Sequence, residues 1–170
     1  MKKDLAIIFG LFLLVAALIV FGQGYTSSSF FGTGSGGTLQ SSQKPNDRAT
    51  VAIGDMVIDT KVVSKAGDRK KGLSKIDSLP FTEGMIFVFE NKGPYAFWMK
   101  DMKFAIDIIW IDENKRVVDI AANVAPEPGR GDDELTLYRP GGEALYVLEI
   151  NAGLSALHGI QIGDQANFQL

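Results

Sequence analysis

The most informative feature of this sequence is an uncharged apolar run near the N-terminus. Residues Leu5 to Phe21 contain no charged side chain, and their number reaches the roughly 17–25 apolar residues of a membrane-spanning helix. Lys2 and Lys3 precede the run, so the positive-inside rule keeps the N-terminus in the cytoplasm. The sequence predicts a single-pass N-terminal transmembrane helix within residues 1–21, with residues 5–21 in the membrane and the C-terminal part outside the cytoplasm.

A cleaved signal segment is the alternative interpretation of the same run. Gly22 and Gly24 supply small residues for a cleavage site, although the apolar core exceeds the roughly 7–15 residues of a usual signal peptide. Cleavage would make the protein secreted. The chain has no cysteine, which excludes a lipid-modified cysteine anchor and disulfides.

The run is followed by a linker and a domain of different composition. Residues 22–48 are mostly Gly, Ser, Thr and Gln and predict a flexible linker. Of the 17 basic and 20 acidic residues, four basic and two acidic ones precede Ala49, which leaves 13 and 18 and a net charge of −5 for residues 49–170. We therefore expect one acidic globular domain that does not bind nucleic acid.

Short apolar segments separated by turn residues predict a mainly β domain. Gly54-Asp55 predicts a hairpin turn between Val51–Ile53 and Met56–Val63. Residues 64–73 predict a short helix ending near Gly72. Asn151 predicts the cap of another short helix that runs through Leu157, with Gly159 in position to stop it. A second hairpin is predicted across Asp112-Glu113-Asn114, between Ile106–Ile111 and Val117–Ala122. The remaining predicted strands are Gly84–Phe89, Tyr95–Met99, Ala144–Ile150 and Gln165–Gln169.

This pattern favours a mainly β (α+β) fold, a compact closed or nearly closed antiparallel β-barrel-like domain with one or two short helices. One connection, residues 125–143, is unusually long and rich in Pro, Gly and acidic residues. Loops of that length are usually functional or disordered.

Several motifs resemble one protein family, in the same order along the chain. They are Arg69-x-x-Gly72-Leu73, GMIFVF at 84–89, FWMKD at 97–101, IDIIWID at 106–112, YVLEI at 146–150 with Ala152-Gly153, and Gly159-Ile160-x-x-Gly163-Asp164. Together they resemble the domain of unknown function 192 family over nearly all of residues 50–170. The resemblance implies a compact, often exported β-rich domain and no established activity.

Two carboxylates inside apolar strands are the candidate catalytic residues. Asp107 and Glu149 would both be buried, so each needs a partner. The functional interpretation is an acid/base pair, as in glycoside hydrolysis. The structural interpretation is an ion pair with Lys100, Arg69 or Arg139, or carboxylates that accept backbone N–H groups.

Trp98, Lys100 and Arg139 are the candidate binding residues. Trp98 with its aromatic neighbours could form a platform for a sugar or peptide, although aromatic strand residues usually pack in a core. His158 is the only histidine, which weakens a metal site or a serine triad, and its expected place is the last turn of a helix. Residues 132–134 are acidic but lack the spacing of a calcium loop, which favours a solvated turn.

The sequence therefore predicts a membrane-tethered extracytoplasmic domain that binds an unidentified component of the cell envelope or assists there. No cofactor and no metal are expected. The alternative is a hydrolase of cell-envelope polymers that acts through Asp107 and Glu149. Because the chain shows no nucleophile motif, metal cluster or nucleotide loop, binding is favoured over catalysis.

Overall fold

The structure, a computed structural model, describes residues 47–170. The predicted anchor and nearly all of the predicted linker lie outside these residues. The described part is mainly β, with one curled half-barrel sheet and two short helices. Its elements are β1 (Arg48–Ile53), β2 (Met56–Val63), α1 (Ala66–Lys71), β3 (Glu83–Gly93), β4 (Ile106–Ile111), β5 (Val117–Val124), β6 (Ala144–Asn151), α2 (Leu154–Leu157) and β7 (Ala166–Asn167).

The seven strands form a single sheet in the order β5-β4-β6-β3-β2-β1-β7. Neighbours are antiparallel except β2 and β3, which are parallel. The expectation of a purely antiparallel sheet was wrong at this pair, because α1 and the segment after it carry the chain back across the sheet, as a parallel pair requires. Arg116, the residue before β5, forms a bridge with Gln165, the residue before β7.

Both faces of the sheet are covered, and each has its own apolar core. The first, which we call the isoleucine face, includes Ile53, Ile58, Ile86, Ile109 and Ile150 and packs against α2. The second, which we call the aromatic face, is covered by the segments that follow α1 and β3; its buried and half-buried side chains include Met85, Phe87, Phe97, Trp110 and Val147. Two-sided burial explains why β4 and the centres of β3 and β6 are apolar at successive positions.

Local turn chemistry produces the predicted hairpins. Gly54 turns β1 into β2 with φ +60°, a conformation that glycine adopts without strain. Between β4 and β5, Asp112 Oδ1 accepts the N–H groups of Asn114 and Arg116, each at 2.8 Å. α1 ends at Gly72, with φ +49°. The two hairpins and this helix end are confirmed.

Three predictions about individual segments were wrong. The segment Tyr95–Met99 is not a strand, because only Phe97 pairs, in a bridge to Tyr138; β3 instead continues to Gly93. Asn151 does not cap α2, since its side-chain amide donates to the carbonyls of Leu79 and Pro80. The closing strand is limited to Ala166–Asn167, which pair with β1.

Across residues 47–170, none of the helices has the length and apolar character needed to cross a membrane.

Candidate functional site

The two candidate catalytic carboxylates lie on opposite faces of the sheet. In the pairing of β4 with β6, Asp107 is opposite Ile150, and Ile108 is opposite Glu149. Directly paired residues share a face and successive residues alternate. Asp107 therefore points to the isoleucine face and Glu149 to the aromatic face. The predicted acid/base pair is wrong in this geometry, because the sheet separates the two groups.

Asp107 is a structural carboxylate. It is fully buried, and its oxygens accept the backbone N–H groups of Asn123 at 2.7 Å, Gly153 at 3.1 Å and Ser155 at 2.9 Å. The Ser155 hydroxyl donates a fourth bond, 2.7 Å long. Asp107 therefore fits the second structural interpretation, a carboxylate that accepts backbone N–H groups, and not the ion pair. Asp107 joins the end of β5 to the start of α2.

A cavity of about 220 Å³ lies on the aromatic face, against Glu149. Its walls come from three places: α1 and the turn after it, strand β3, and the segment that follows β3. Exposed Lys70 and Lys71 are part of the lining, so the cavity reaches the protein surface. The lining residues are Arg69 to Ser74, Phe87, Phe89, Tyr95 to Trp98, Lys100, Met102 and Glu149.

Glu149 is the unusual group of this cavity. Its exposed fraction is 5%, and its Oε2 atom has no hydrogen-bond partner among the described residues. Its neighbours across the strands are the apolar Met85 and Ile108. Burial raises the pKa of Glu149 to about 8, because loss of hydration disfavours the charged form. The carboxyl group is therefore mostly protonated at neutral pH and can donate a hydrogen bond.

Aromatic and cationic side chains form the other walls. The rings of Phe89 and Tyr95 stack with centroids 3.5 Å apart, and the Arg69 guanidinium lies 4.8 Å from the Phe89 centroid. Arg69 also donates to the carbonyl oxygens of Ser64 and Val88, which connects α1 to β3. Trp98, half-buried, lies with its ring centroid 6.0 Å from Lys100 Nζ.

Lys100 connects the cavity to the long loop 125–143. Its ammonium group forms an ion pair with Asp132 of that loop. The loop is also held internally, because Glu127 accepts hydrogen bonds from the N–H and hydroxyl groups of Thr136. These bonds and, to a smaller extent, the positive charge of Arg130 lower the pKa of Glu127.

The structure thus brings three of the five candidate residues together. Glu149, Trp98 and Lys100 line the cavity, whereas Asp107 lies on the other face and the exposed Arg139 is not part of the lining. Sequence reasoning did not identify the cavity itself. The sequence feature that could have indicated the cavity is the basic run at 69–71 before Gly72, which places cationic side chains beside β3.

Other candidate features have simpler roles. His158 Nδ1 lies 2.9 Å from Asp55 Oδ1, which pairs the end of α2 with the first hairpin turn. Asp132 pairs with Lys100. Within residues 47–170, no group of three or more His, Cys, Asp or Glu side chains is arranged to hold a metal ion.

Comparisons with known proteins identify the family. Residues 49–168 match the DUF192 family, described as "Uncharacterized ACR". The chain belongs to this family. The resemblance seen in the sequence motifs is thereby confirmed, and it brings no established activity with it.

Two solved structures share the fold. A protein of unknown function from Novosphingobium aromaticivorans is 33% identical, with 71% of this chain and 83% of that chain covered and a TM-score of 0.62. A candidate transcription regulator from Sinorhizobium meliloti is 22% identical, with 71% and 92% covered and a TM-score of 0.63; at that identity the likeness concerns the fold alone. No curated protein matches this chain.

Proposed function

We propose that this protein is a membrane-tethered, extracytoplasmic accessory domain that binds a small ligand of the cell envelope in the cavity beside Glu149. The tether is residues 5–21, the linker is residues 22–48, and the folded domain carries the binding site. The observation that carries the binding function is the buried Glu149 carboxyl group, whose Oε2 has no partner among the described residues.

An unpartnered buried polar atom costs roughly 1–3 kcal/mol in proteins. Most buried polar atoms in native structures have a partner, and the exceptions call for an explanation. Glu149 is part of the lining of a cavity to which Tyr95, Phe97 and Trp98 also contribute. A pocket of apolar and aromatic walls with a few polar groups is the usual form of a small-ligand site. A ligand that hydrogen-bonds Glu149 would remove the cost.

The tether is supported by the sequence pattern of the N-terminal segment. Leu5–Phe21 is uncharged, and Lys2 and Lys3 precede it, which is the arrangement of a helix that leaves its short N-terminal end in the cytoplasm. A reporter active only outside the cytoplasm, fused after Leu170, should be active, and a cytoplasm-only reporter should be silent. The reverse pattern would contradict the proposed location. Loss of the first 21–24 residues, measured by mass spectrometry, would contradict the anchor and leave a secreted domain.

Binding is tested by capture of envelope molecules on the full-length protein. Immobilised wild-type protein and two variants are incubated with envelope extract, and released small molecules are measured by mass spectrometry. Trp98→Ala removes a cavity wall, and Lys65→Ala removes an exposed lysine outside the lining. We expect a molecule that is enriched on the wild type and Lys65→Ala and lost on Trp98→Ala. Equal retention on all three, or no enrichment on any, would contradict the proposal.

Hydrolysis of envelope polymers through Asp107 and Glu149 is not supported. Two-carboxylate glycoside hydrolysis needs both groups beside one bond, roughly 5–9.5 Å apart and facing it. Here the sheet lies between them, and the oxygens of Asp107 accept four hydrogen bonds from protein groups. Glu149 alone resembles an acid held neutral by burial, a group that can bind as well as catalyse.

A further inference from the structure

We propose that the ligand of the Glu149 cavity carries one carboxylate-like anionic group on a compact ring, and that Asp132 occupies the place of this anion on Lys100. The inference rests on the proposed binding function and specifies the chemical class of its ligand. Three independent features of the cavity carry it: the charges of its lining, its size and walls, and the pairing of Lys100 with the long loop.

The charges of the lining favour an anion. Among the lining residues the cationic ones are Arg69, Lys70, Lys71 and Lys100, and the only acidic one is Glu149. These four positive charges would repel a cationic ligand. An anionic ligand would be attracted by them and would accept a hydrogen bond from the protonated Glu149, and such charge-assisted bonds are the stronger kind.

The size and walls favour a single ring. An apolar cavity of roughly 150 Å³ holds benzene, so about 220 Å³ leaves room for one ring with a small substituent. Trp98, half-buried on the cavity wall, provides a ring face for stacking. An extended polymer would not fit inside such a volume, although its terminal unit would.

Lys100 already holds an anion in this structure. Asp132 reaches it from loop 125–143, and both side chains keep substantial exposure, 36% for Lys100 and 65% for Asp132. An exposed pair of this kind contributes only about 0.2–1 kcal/mol. A ligand anion can therefore displace Asp132 at small cost, and removal of the Asp132 charge should make the ligand bind more tightly.

The protonation of Glu149 makes anion binding depend on pH. Above its pKa of about 8, the ionised carboxylate repels an anion. The charged and titratable groups around it are Arg69, Lys70 and Lys71 from α1 and Tyr95 and Lys100 from the segment after β3, while β3 and β4 place apolar Met85 and Ile108 beside it. Replacement of Glu149 by glutamine separates the pH dependence that Glu149 causes from any pH dependence that the other titratable groups cause.

The test uses three probes with the same ring: benzoate, benzamide and benzylammonium. Binding to the full-length protein is followed by NMR of methionine methyl groups labelled with carbon-13. Met102 lines the cavity, and Met56 lies in the isoleucine face and serves as the internal reference. The variants are Lys100→Met, Asp132→Asn and Glu149→Gln, with Lys65→Met as the matched lysine control and thermal unfolding as the check on folding.

We expect benzoate alone to shift Met102 strongly, with Met56 unchanged. Lys100→Met should lower the affinity for benzoate about ten-fold, and Asp132→Asn should raise this affinity about two- to five-fold. If only protonated Glu149 binds the anion, affinity at pH 9 should be about ten-fold lower than at pH 6.5. Glu149→Gln should bind more weakly at pH 6.5 and lose most of this pH dependence.

The outcomes separate the two proposals. If benzamide or benzylammonium shifts Met102 as well as benzoate does, the anionic class is wrong while the cavity remains a binding site. If Asp132→Asn leaves benzoate binding unchanged, the role of Asp132 is wrong. If none of the probes shifts Met102 in the wild-type protein, the ligand class is overturned, and the capture experiment alone then decides the binding function.

Discussion

At the scale of residues, the two buried carboxylates differ in what surrounds them. Asp107 accepts four hydrogen bonds from backbone and hydroxyl donors, whereas Glu149 Oε2 has no partner within the described part of the chain. Burial without hydrogen-bond partners favours the neutral form of Glu149. A buried carboxyl group thus stabilises the fold at one position, whereas at the other it is part of the cavity lining.

Asp107→Asn should destabilise the protein by about 3 kcal/mol. An asparagine side chain turns its NH₂ group toward backbone N–H groups that need an acceptor, and an unsatisfied buried donor costs roughly 1–3 kcal/mol beyond the lost bonds. The measurement is urea unfolding, with Asp132→Asn on the exposed loop as a control that changes stability by at most about 1 kcal/mol, the upper limit for its exposed ion pair with Lys100. An unchanged midpoint for Asp107→Asn would contradict the structural role of Asp107.

Glu149 should make the wild-type protein less stable as pH rises. Its pKa is raised from 4.5 to about 8 in the folded state, so between these values the folded protein binds the proton more tightly than the unfolded chain does. Stability from this group is complete below pH 4.5 and is lost as pH rises toward 8. Glu149→Gln should flatten this part of the profile in thermal unfolding. A profile identical to that of the wild type would contradict the protonated state.

The sequence could identify these residues but not their arrangement. A carboxylate at an apolar position of a strand predicts burial, and both positions are buried. Which face each occupies depends on the pairing of β4 with β6, strands separated by more than thirty residues. A shift of one residue in register would move every side chain of one strand to the opposite face of the sheet. Long-range pairing of this kind has no local signal in a single sequence.

At the scale of elements, strand β3 organises the sheet and the cavity. It pairs with β2 on one side and β6 on the other, and it carries Phe87 and Phe89 to the cavity. Its close approach to β6 depends on Gly84. A Cβ atom at Gly84 would lie 2.8 Å from the carbonyl oxygen of Glu149, a distance at which backbone must move.

Gly84→Ala should therefore destabilise the protein by about 1–3 kcal/mol, the usual cost of an added group in a well-packed core. The matched control is Gly67→Ala in α1, where an added Cβ meets no atom within 4 Å. That change should stabilise by about 0.4–1 kcal/mol, because alanine has less freedom in the unfolded chain. Chemical unfolding of both variants measures the difference. Equal effects would contradict the close approach of β3 and β6.

Elements with their own local signals were predictable. The turns at Gly54 and Asp112 and the helix end at Gly72 follow from residue types that specify backbone geometry. The Tyr95–Met99 segment was misassigned because its aromatic residues pack on the sheet from a loop. Apolar content alone does not distinguish a strand from a segment that covers one.

At the scale of the whole molecule, residues 47–170 contain two apolar cores and a single continuous sheet. Residues 49–168 match one family. The sequence predicted this region as a separate domain from the change in composition near Ala49. β1 begins one residue earlier, at Arg48, and the Asp47 carbonyl accepts the N–H of Val62 at 2.7 Å.

A truncated protein that begins at Asp47 should fold cooperatively, with strand-dominated circular dichroism. Its unfolding temperature should equal that of the same domain in the full-length protein, because both cores lie within the retained residues. Differential scanning calorimetry compares the two proteins. Aggregation or a clearly lower unfolding temperature would show that residues 1–46 contribute to the folded domain.

The proposed site depends on a protonated Glu149 carboxyl group beside the cavity, whose Oε2 has no hydrogen-bond partner among residues 47–170. Titration of this group is the decisive measurement. Glutamate labelled with carbon-13 at the side-chain carboxyl is incorporated into the full-length protein, and the resonance missing in Glu149→Gln identifies Glu149. We predict a titration midpoint near pH 8, above the usual pKa of about 4.3. A midpoint at or below the usual value would mean an ionised, partnered carboxylate and would rule out a neutral Glu149 at the cavity.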